Sequence, residues 1–179
     1  AGVVGQVVPV RCDYNDADSI KKAVKGCDYV VNCIGVLYEK GGQTFQHAHV
    51  DIPARIAGAC AKNNVKSFVH ISALGVNDSL AKYAKSKLDG EKAVKANFPD
   101  VTILRPSVVF GEDDDFFNRF AEMARFAPAL PLIGGGVTQF QPVFVGDIAD
   151  AAIKALQDPA TKGKTYCLGG PEKVSFKEI

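Results

Sequence analysis

Apolar residues along the chain fall in short runs separated by longer amphipathic stretches. Val7–Arg11 is a short β-branched run, closed by the turn formers Asp13-Tyr14-Asn15-Asp16. Asp16 is placed to cap a helix over Ala17–Val24, which Gly26 ends. Asp28–Ile34 is an almost unbroken apolar run, the pattern of a strand buried on both faces of a parallel sheet. A loop with Gly35, Gly41 and Gly42 leads to a helical stretch, Thr44–Lys62, ended by Asn63-Asn64. A second buried strand, Val65–Ile71, precedes a helix over Leu80–Ala96 and a strand over Val101–Leu104 stopped by Pro106. Phe116–Arg125 reads as a helix with Asp113, Asp114 and Asp115 at its positive N-terminal end. After the Pro/Gly-rich loop Pro128–Gly136 come a strand (Pro142–Val145), a helix (Asp147–Leu156) and a strand (Thr165–Leu168). Strands alternating with helices make βαβ units, so the fold class is α/β with a doubly wound parallel sheet between two helix layers.

Composition narrows the functions open to such a fold. With 179 residues, 47% of them apolar, residues 1–179 are expected to form a single domain. The 21 basic and 20 acidic side chains nearly cancel, which argues against nucleic-acid binding and against a polybasic membrane patch. A mean hydropathy of +0.03 suits a globular protein. The longest apolar runs, Tyr29–Val31 and Cys33–Tyr38, are too short for a transmembrane segment. Ala1–Val10 lacks the basic start and cleavage site of a secretory signal. The five cysteines, Cys12, Cys27, Cys33, Cys60 and Cys167, show no CxxC pair and read as reduced, three of them as small buried hydrophobes within strand-like runs.

A dinucleotide-binding sheet of this type carries a glycine-rich phosphate loop directly after its first strand. Here Cys12-Asp13-Tyr14-Asn15 follows the first run, Gly2 and Gly5 precede it, and Gly134-Gly135-Gly136 precedes a strand. The chain also opens on Ala1 and stops at Ile179 within a helix-start pattern. We therefore expect a fragment truncated at both ends, lacking the first strand–glycine loop–helix unit, on the order of 50 residues. Val7–Arg11 would then lack its strand neighbour, and residues 1–179 alone are expected to be poorly stable and not to bind dinucleotide.

The chemistry centres on Tyr83-Ala84-Lys85-Ser86-Lys87. Tyr83 and Lys87, four apart on a helix, share a face. An ammonium beside the phenol would lower its pKa toward the range of a working acid/base, and Lys87 could also bond a ribose hydroxyl. The preceding strand ends in Ser72-Ala73, at the carboxyl edge where such sheets bind ligands. Leu104-Arg105-Pro106-Ser107-Val108-Val109-Phe110-Gly111 and Val145-Gly146-Asp147 follow in order.

In order and spacing these motifs resemble the extended and atypical short-chain dehydrogenase/reductases, the NAD-dependent epimerase/dehydratase group, which have a Rossmann-like, three-layer fold. The resemblance covers Val7 to Ile179, and the branch most similar is the NAD(P)H-binding accessory subunit of respiratory complex I with its bacterial relatives. It implies NADP or NAD as cofactor. Asp13 would contact the adenine with Tyr14 beside it, and Asn32, Cys33, Ile34 and Gly35 would line the cofactor. Pro106, Ser107 and Val108 would sit by the nicotinamide, and Ser72, Tyr83 and Lys87 would hold the catalytic positions. Complex I subunits are the implied partners, with a cytoplasmic location, or the mitochondrial matrix side, peripheral to the membrane.

Two departures bear on activity. Ala73 stands where active members carry a second hydroxyl, and His49 where they commonly have asparagine. The reading therefore divides between a structural dinucleotide in an accessory subunit and an NAD(P)-dependent oxidoreductase or epimerase/dehydratase using Tyr83, Lys87 and Ser72. His47, His49 and His70 lack metal-ligand spacing, and no metal site is expected. Glu112–Asp115 reads as a dipole-complementing helix start, and Phe116, Phe117, Phe120 and Phe126 as core.

Overall fold

The computed structural model describes residues 6–112, 114, 118, 122, 125 and 136–178. Helix α1 spans Ala17–Val24, with the Asp16 carboxylate accepting from the Asp18 amide at 3.0 Å. Gly26, at φ +79°, takes the left-handed turn that ends it. Strand β1 (Tyr29–Asn32) follows, then a π-helical turn, Gln46–Asp51, running straight into α2 (Ile52–Lys62). Asn64, at φ 55°, turns the chain into β2 (Ser67–Ile71). Helix α3 (Lys82–Asn97) leads to β3 (Thr102–Pro106) and the short β4 (Val109–Phe110). Beyond residue 135 come β5 (Gln139–Phe140), β6 (Val143–Phe144), α4 (Val145–Gln157), β7 (Thr165–Leu168) and β8 (Val174–Ser175).

The main sheet is wholly parallel, in the order β1-β2-β3-β7, with Asn32 opposite His70 and Ile71 opposite Leu104. Because side chains alternate across a strand, β2 and β3 feed two cores. Phe68 and Ile103 pack with Ile20, Ile52, Ile56, Val94 and Phe98 on one face; Val69 and Leu104 pack with Ala152 and Ala155 of α4 on the other. This is the expected α/β sheet with helices on both faces. Among the described residues no helix is long and apolar enough to cross a membrane.

Three local expectations are corrected. Val7–Arg11 is not a strand: no described strand pairs with it, and Val7, Val8 and Val10 are exposed. A strand is held by its ladder, and β propensity without a partner does not make one. The run Asp28–Ile34 is not buried on both faces: Tyr29 and Val31, on one face of β1, are exposed, and among the described residues β1 is the outer strand of its sheet. The cysteines are all free thiols, as read, but only Cys60 is buried, and it lies in α2; Cys27, Cys33 and Cys167 are exposed. The helix Phe116–Arg125 and its phenylalanine face fall mostly outside the described residues, where Asn118, Glu122 and Arg125 are helical.

One close approach fixes the layer that carries the site. Gly90 of α3 lies against the backbone of His49, so that a Cβ there would overlap the His49 carbonyl. Glu91, the next residue, is 4% exposed and forms a bidentate pair with Arg105 of β3, at 2.8 and 2.6 Å. Together these contacts hold α3 against both the π-helical turn and the sheet.

Candidate functional site

The carboxyl ends of β1, β2 and β3 converge on two clefts. One, of about 810 Å³, is lined by Ser72, Ala73, Tyr83, Pro106, Ser107 and Val108, with Leu37, Leu74, Phe140 and Lys173 around them. The other, of about 570 Å³, is lined by Asp13, Tyr14, Ile34 and Gly35 together with Val36, Gly41, Gly42 and His47. The segment Gly35-Val36-Leu37 runs between them. The residues read as adenine-side and nicotinamide-side thus separate into two neighbouring cavities at the sheet edge where parallel folds bind ligands. Asn32, Cys33 and Lys87 line neither.

Asn32 is buried, and its side chain faces inward. Its Nδ2 donates to His70 Nδ1 at 2.9 Å and its Oδ1 accepts from the Ile34 amide at 3.2 Å. Asn32 therefore shapes the turn that presents Ile34 and Gly35. With Nδ1 accepting, His70 carries its proton on Nε2, a buried atom that has no protein partner. Burial, with the Lys87 charge nearby, pushes the His70 pKa down to about 3, so the ring is neutral. Cys33 is exposed just beyond the strand.

Lys87 is 5% exposed, and its Nζ donates to the Ile71 carbonyl at 2.9 Å. Desolvation lowers its pKa to about 8, against the opposing pull of Glu91 and Cys33. A Cβ on Gly35 would sit 3.7 Å from Nζ and 3.6 Å from His49 Nε2, so the loop backbone passes close to both groups. The expected lowering of the Tyr83 pKa by Lys87 is not found. Burial raises the phenol above its ordinary value, while the ammonium is tied to the Ile71 carbonyl. A shared helix face brings two side chains near each other, but the sheet edge decides which group each one meets.

His49 organises the other side of Tyr83. Its Nε2 accepts from the Val36 amide at 3.0 Å, which places the proton on Nδ1, the donor to Ser86 Oγ at 2.8 Å. Ser86 Oγ in turn donates to the Tyr83 carbonyl at 2.7 Å. The His49 ring stacks on Phe45 (centroids 5.3 Å, 19°) and meets Tyr83 edge-on (5.3 Å, 90°). Burial and the Lys87 charge hold its pKa down to about 4. The sequence marked His49 as a departure from family pattern but could not show that it ties the inter-cleft loop to the helix of Tyr83. Its partners Val36 and Ser86 lie 13 and 37 positions away.

Ser72 is 5% exposed, and its Oγ has no hydrogen-bond partner in the protein. Such an orphan at a cleft wall suits a ligand oxygen. The described residues thus fit the two ends of a dinucleotide, and no glycine-rich strand-to-helix turn for its phosphates occurs among them.

Comparison with known proteins bears on the family and the fold. A family model described as NAD(P)H-binding matches residues 3–159. The mouse protein named NADH dehydrogenase (ubiquinone) 1 alpha subcomplex subunit 9, mitochondrial, is 39% identical over 174 residues, covering 96% of this chain and 46% of that protein. The Arabidopsis thaliana protein of the same name is 36% identical, covering 99% of this chain and 45% of that protein. The chain spans about half the length of the curated relatives it matches. Among solved structures, UDP-glucuronic acid 4-epimerase from Bacillus cereus in complex with NAD superposes with a TM-score of 0.80 at 22% identity, covering 94% of this chain and 62% of that one. That likeness establishes the Rossmann-type fold. With the parallel sheet, the paired clefts and the match over most of its length, the chain belongs to the NAD(P)H-binding family.

Proposed function

We propose that this domain holds NADP or NAD as a fixed structural group within an accessory subunit of respiratory complex I. The observation that carries the reading is the engagement of Lys87 away from Tyr83: the ammonium donates to the Ile71 carbonyl, while burial raises the phenol above its ordinary value. Such a site grips a cofactor without being poised for proton transfer. The names of the mouse and Arabidopsis relatives, mitochondrial subunits of NADH dehydrogenase (ubiquinone), support the assembly; in this reading the partners are complex I subunits and the place is peripheral, on the matrix side in mitochondria or the cytoplasmic side in bacteria.

In this assignment Asp13 and Tyr14 take the adenine in the smaller cleft. Ile34 and Gly35 carry the backbone past the middle of the dinucleotide, with Asn32 setting that turn and Cys33 at its rim. Lys87, buried behind Gly35, would exchange the Ile71 carbonyl for the nicotinamide ribose when the cofactor binds, and Pro106, Ser107 and Val108 form the wall by the ring. When bound, the nicotinamide supplies or accepts a hydride. A second reading, an active NAD(P)-dependent reductase or epimerase/dehydratase, is supported by the unpartnered Ser72 Oγ in the same cleft wall as Tyr83. There Ser72 would orient a substrate oxygen and Tyr83 exchange a proton with it.

The test is to purify the full-length protein without added cofactor and record nicotinamide absorbance at about 340 nm and its fluorescence. Sugar-nucleotide and quinone-like carbonyls are then added. A reduced nicotinamide that none of them oxidises is the expected result. Oxidation by one substrate, abolished in Tyr83→Phe, would overturn the structural reading in favour of the enzyme.

A further inference from the structure

Both clefts share one wall. Residues 35–43 form a strap between them: Leu37 lines the larger cleft, while Gly35, Val36 and residues 40–43 line the smaller. Leu37 and Tyr38 are 66% and 59% exposed, so packing covers little of the strap's middle. Most of its hydrogen bonds are local. Lys40 and Gln43 pair with each other at 3.2 and 3.0 Å, and Glu39 Oε1 accepts from the Phe45 amide at 2.8 Å. These bonds close the strap on itself. Among the described residues, the bond that fixes it to the rest of the fold runs from the Val36 amide to His49 Nε2, at 3.0 Å.

His49 is a firm anchor for that bond. It is 2% exposed, and three contacts set its place: Nδ1 donates to Ser86 Oγ, the ring stacks on Phe45, and the carbonyl lies against Gly90. The same ring meets Tyr83, which lines the larger cleft. A strap with one buried anchor is preorganised only while that anchor holds. Once loosened, it must be ordered by whatever binds, at a cost in affinity.

We propose that His49 is the positioning residue that preforms both clefts: through Val36 it holds the shared strap in its binding shape before a ligand arrives. The proposal rests on the dinucleotide reading above, because the two ends of one ligand share the strap. It has a specific thermodynamic signature. In the wild type the strap is already ordered, so the two halves of the ligand bind independently. With the anchor cut, the first half to bind orders the strap and the second finds it ready. Each half alone then loses affinity by one ordering factor, and saturation with either half restores the other. The intact dinucleotide loses that factor once rather than twice. A general loss of stability does not produce this pattern.

The experiment titrates full-length protein, dialysed free of nucleotide, with 5′-AMP, nicotinamide mononucleotide and NADPH by calorimetry. Wild type, His49→Gln and His49→Asn are compared. Glutamine reaches the place of Nε2 with an amide oxygen that accepts from Val36, whereas asparagine, one methylene shorter, reaches only Ser86. Wild type and His49→Gln should show no coupling between the mononucleotides. In His49→Asn each mononucleotide should bind about three- to tenfold more weakly and be restored by the other, and NADPH should weaken by that same single factor. Losses that multiply in NADPH, unchanged affinities in His49→Asn, or coupling already present in the wild type would overturn the proposal. Deuterium exchange of the Val36 amide, read on the proteins as purified, is the second measure. The amide should be protected in wild type and His49→Gln and exchange at least about tenfold faster in His49→Asn. Nucleotide binding with equal Val36 exchange in all three would overturn the proposal alone. If none of the three binds nucleotide, the dinucleotide reading falls, and the exchange result decides whether His49 holds the strap.

Discussion

Replacing Gly90 with alanine tests the contact that holds the site together. At an exposed helical position this change stabilises by about 1 kcal/mol, through helix propensity. Gly90 is buried, however, and the new Cβ would overlap the His49 carbonyl, well inside the 3.0 Å that real Cβ contacts essentially never cross. The π-helical turn must move off α3, and the His49–Ser86 bond at 2.8 Å stretches or breaks with it. Overpacking of this kind costs about 1–3 kcal/mol, and the lost hydrogen bond about 1 kcal/mol. Against the propensity gain, the net destabilisation is about 2 kcal/mol. With a urea slope of about 2 kcal/mol/M for a chain of this size, the unfolding midpoint should fall by about 1 M. Because His49 also holds Val36 in the loop between the clefts, dinucleotide affinity should fall with it. An unchanged or raised midpoint would show that the two helices separate freely, and would refute the claim that this crossing is tight.

The Glu91–Arg105 pair is nearly buried, so Glu91→Leu, which strands the guanidinium, should cost about 3 kcal/mol or more, while Glu91→Leu with Arg105→Met recovers most of it in a double-mutant cycle. The native imidazoles of His49 and His70 are held down to about 4 and about 3, so on acidification the unfolded chain takes up protons first. The histidines' contribution should be level above about pH 6.5 and fall progressively from there toward about pH 4, and substituting asparagine for His49 should flatten part of that slope in urea melts across pH. Lys87 is depressed in the native state to about 8, so its own contribution to stability rises with pH from about 8 toward 10.5, while the Cys60 thiol, pushed up to about 12, contributes a fall above about 9; the difference between wild type and Lys87→Met isolates the first and should grow with pH across that window. At pH 7 the same variant should change stability by less than about 1 kcal/mol, relieved desolvation offsetting the lost bond to Ile71, yet release dinucleotide at least about tenfold more readily in an equilibrium binding assay.

Much of this architecture is local, and local patterns are readable. The capping aspartate and the apolar spacing of Ala17–Val24 specify α1 to the residue, and Thr165–Leu168 is a strand from its β-forming run alone. The alternation of strands and helices determines a parallel sheet, because consecutive parallel strands need helical crossovers. The four-residue spacing of Tyr83 and Lys87, and the strand-end positions of Ser72 and Pro106, mark the carboxyl edge of the sheet, where the proposed ligand would sit.

What the tertiary structure decided are the properties set by neighbours distant in sequence. Val7–Arg11 and Tyr29–Asn32 have similar apolar patterns, yet only the second is a strand, because β2 supplies its ladder. Lys87 bonds Ile71, sixteen positions away, in preference to Tyr83, four away. Asn32 is turned inward by His70, and His49 is fixed in one tautomer by Val36 and Ser86. Desolvation, which sets the protonation of all these groups, depends on what packs around a side chain. Sequence periodicity tells which face of an element is covered, and only the assembled layers determine which atoms cover it.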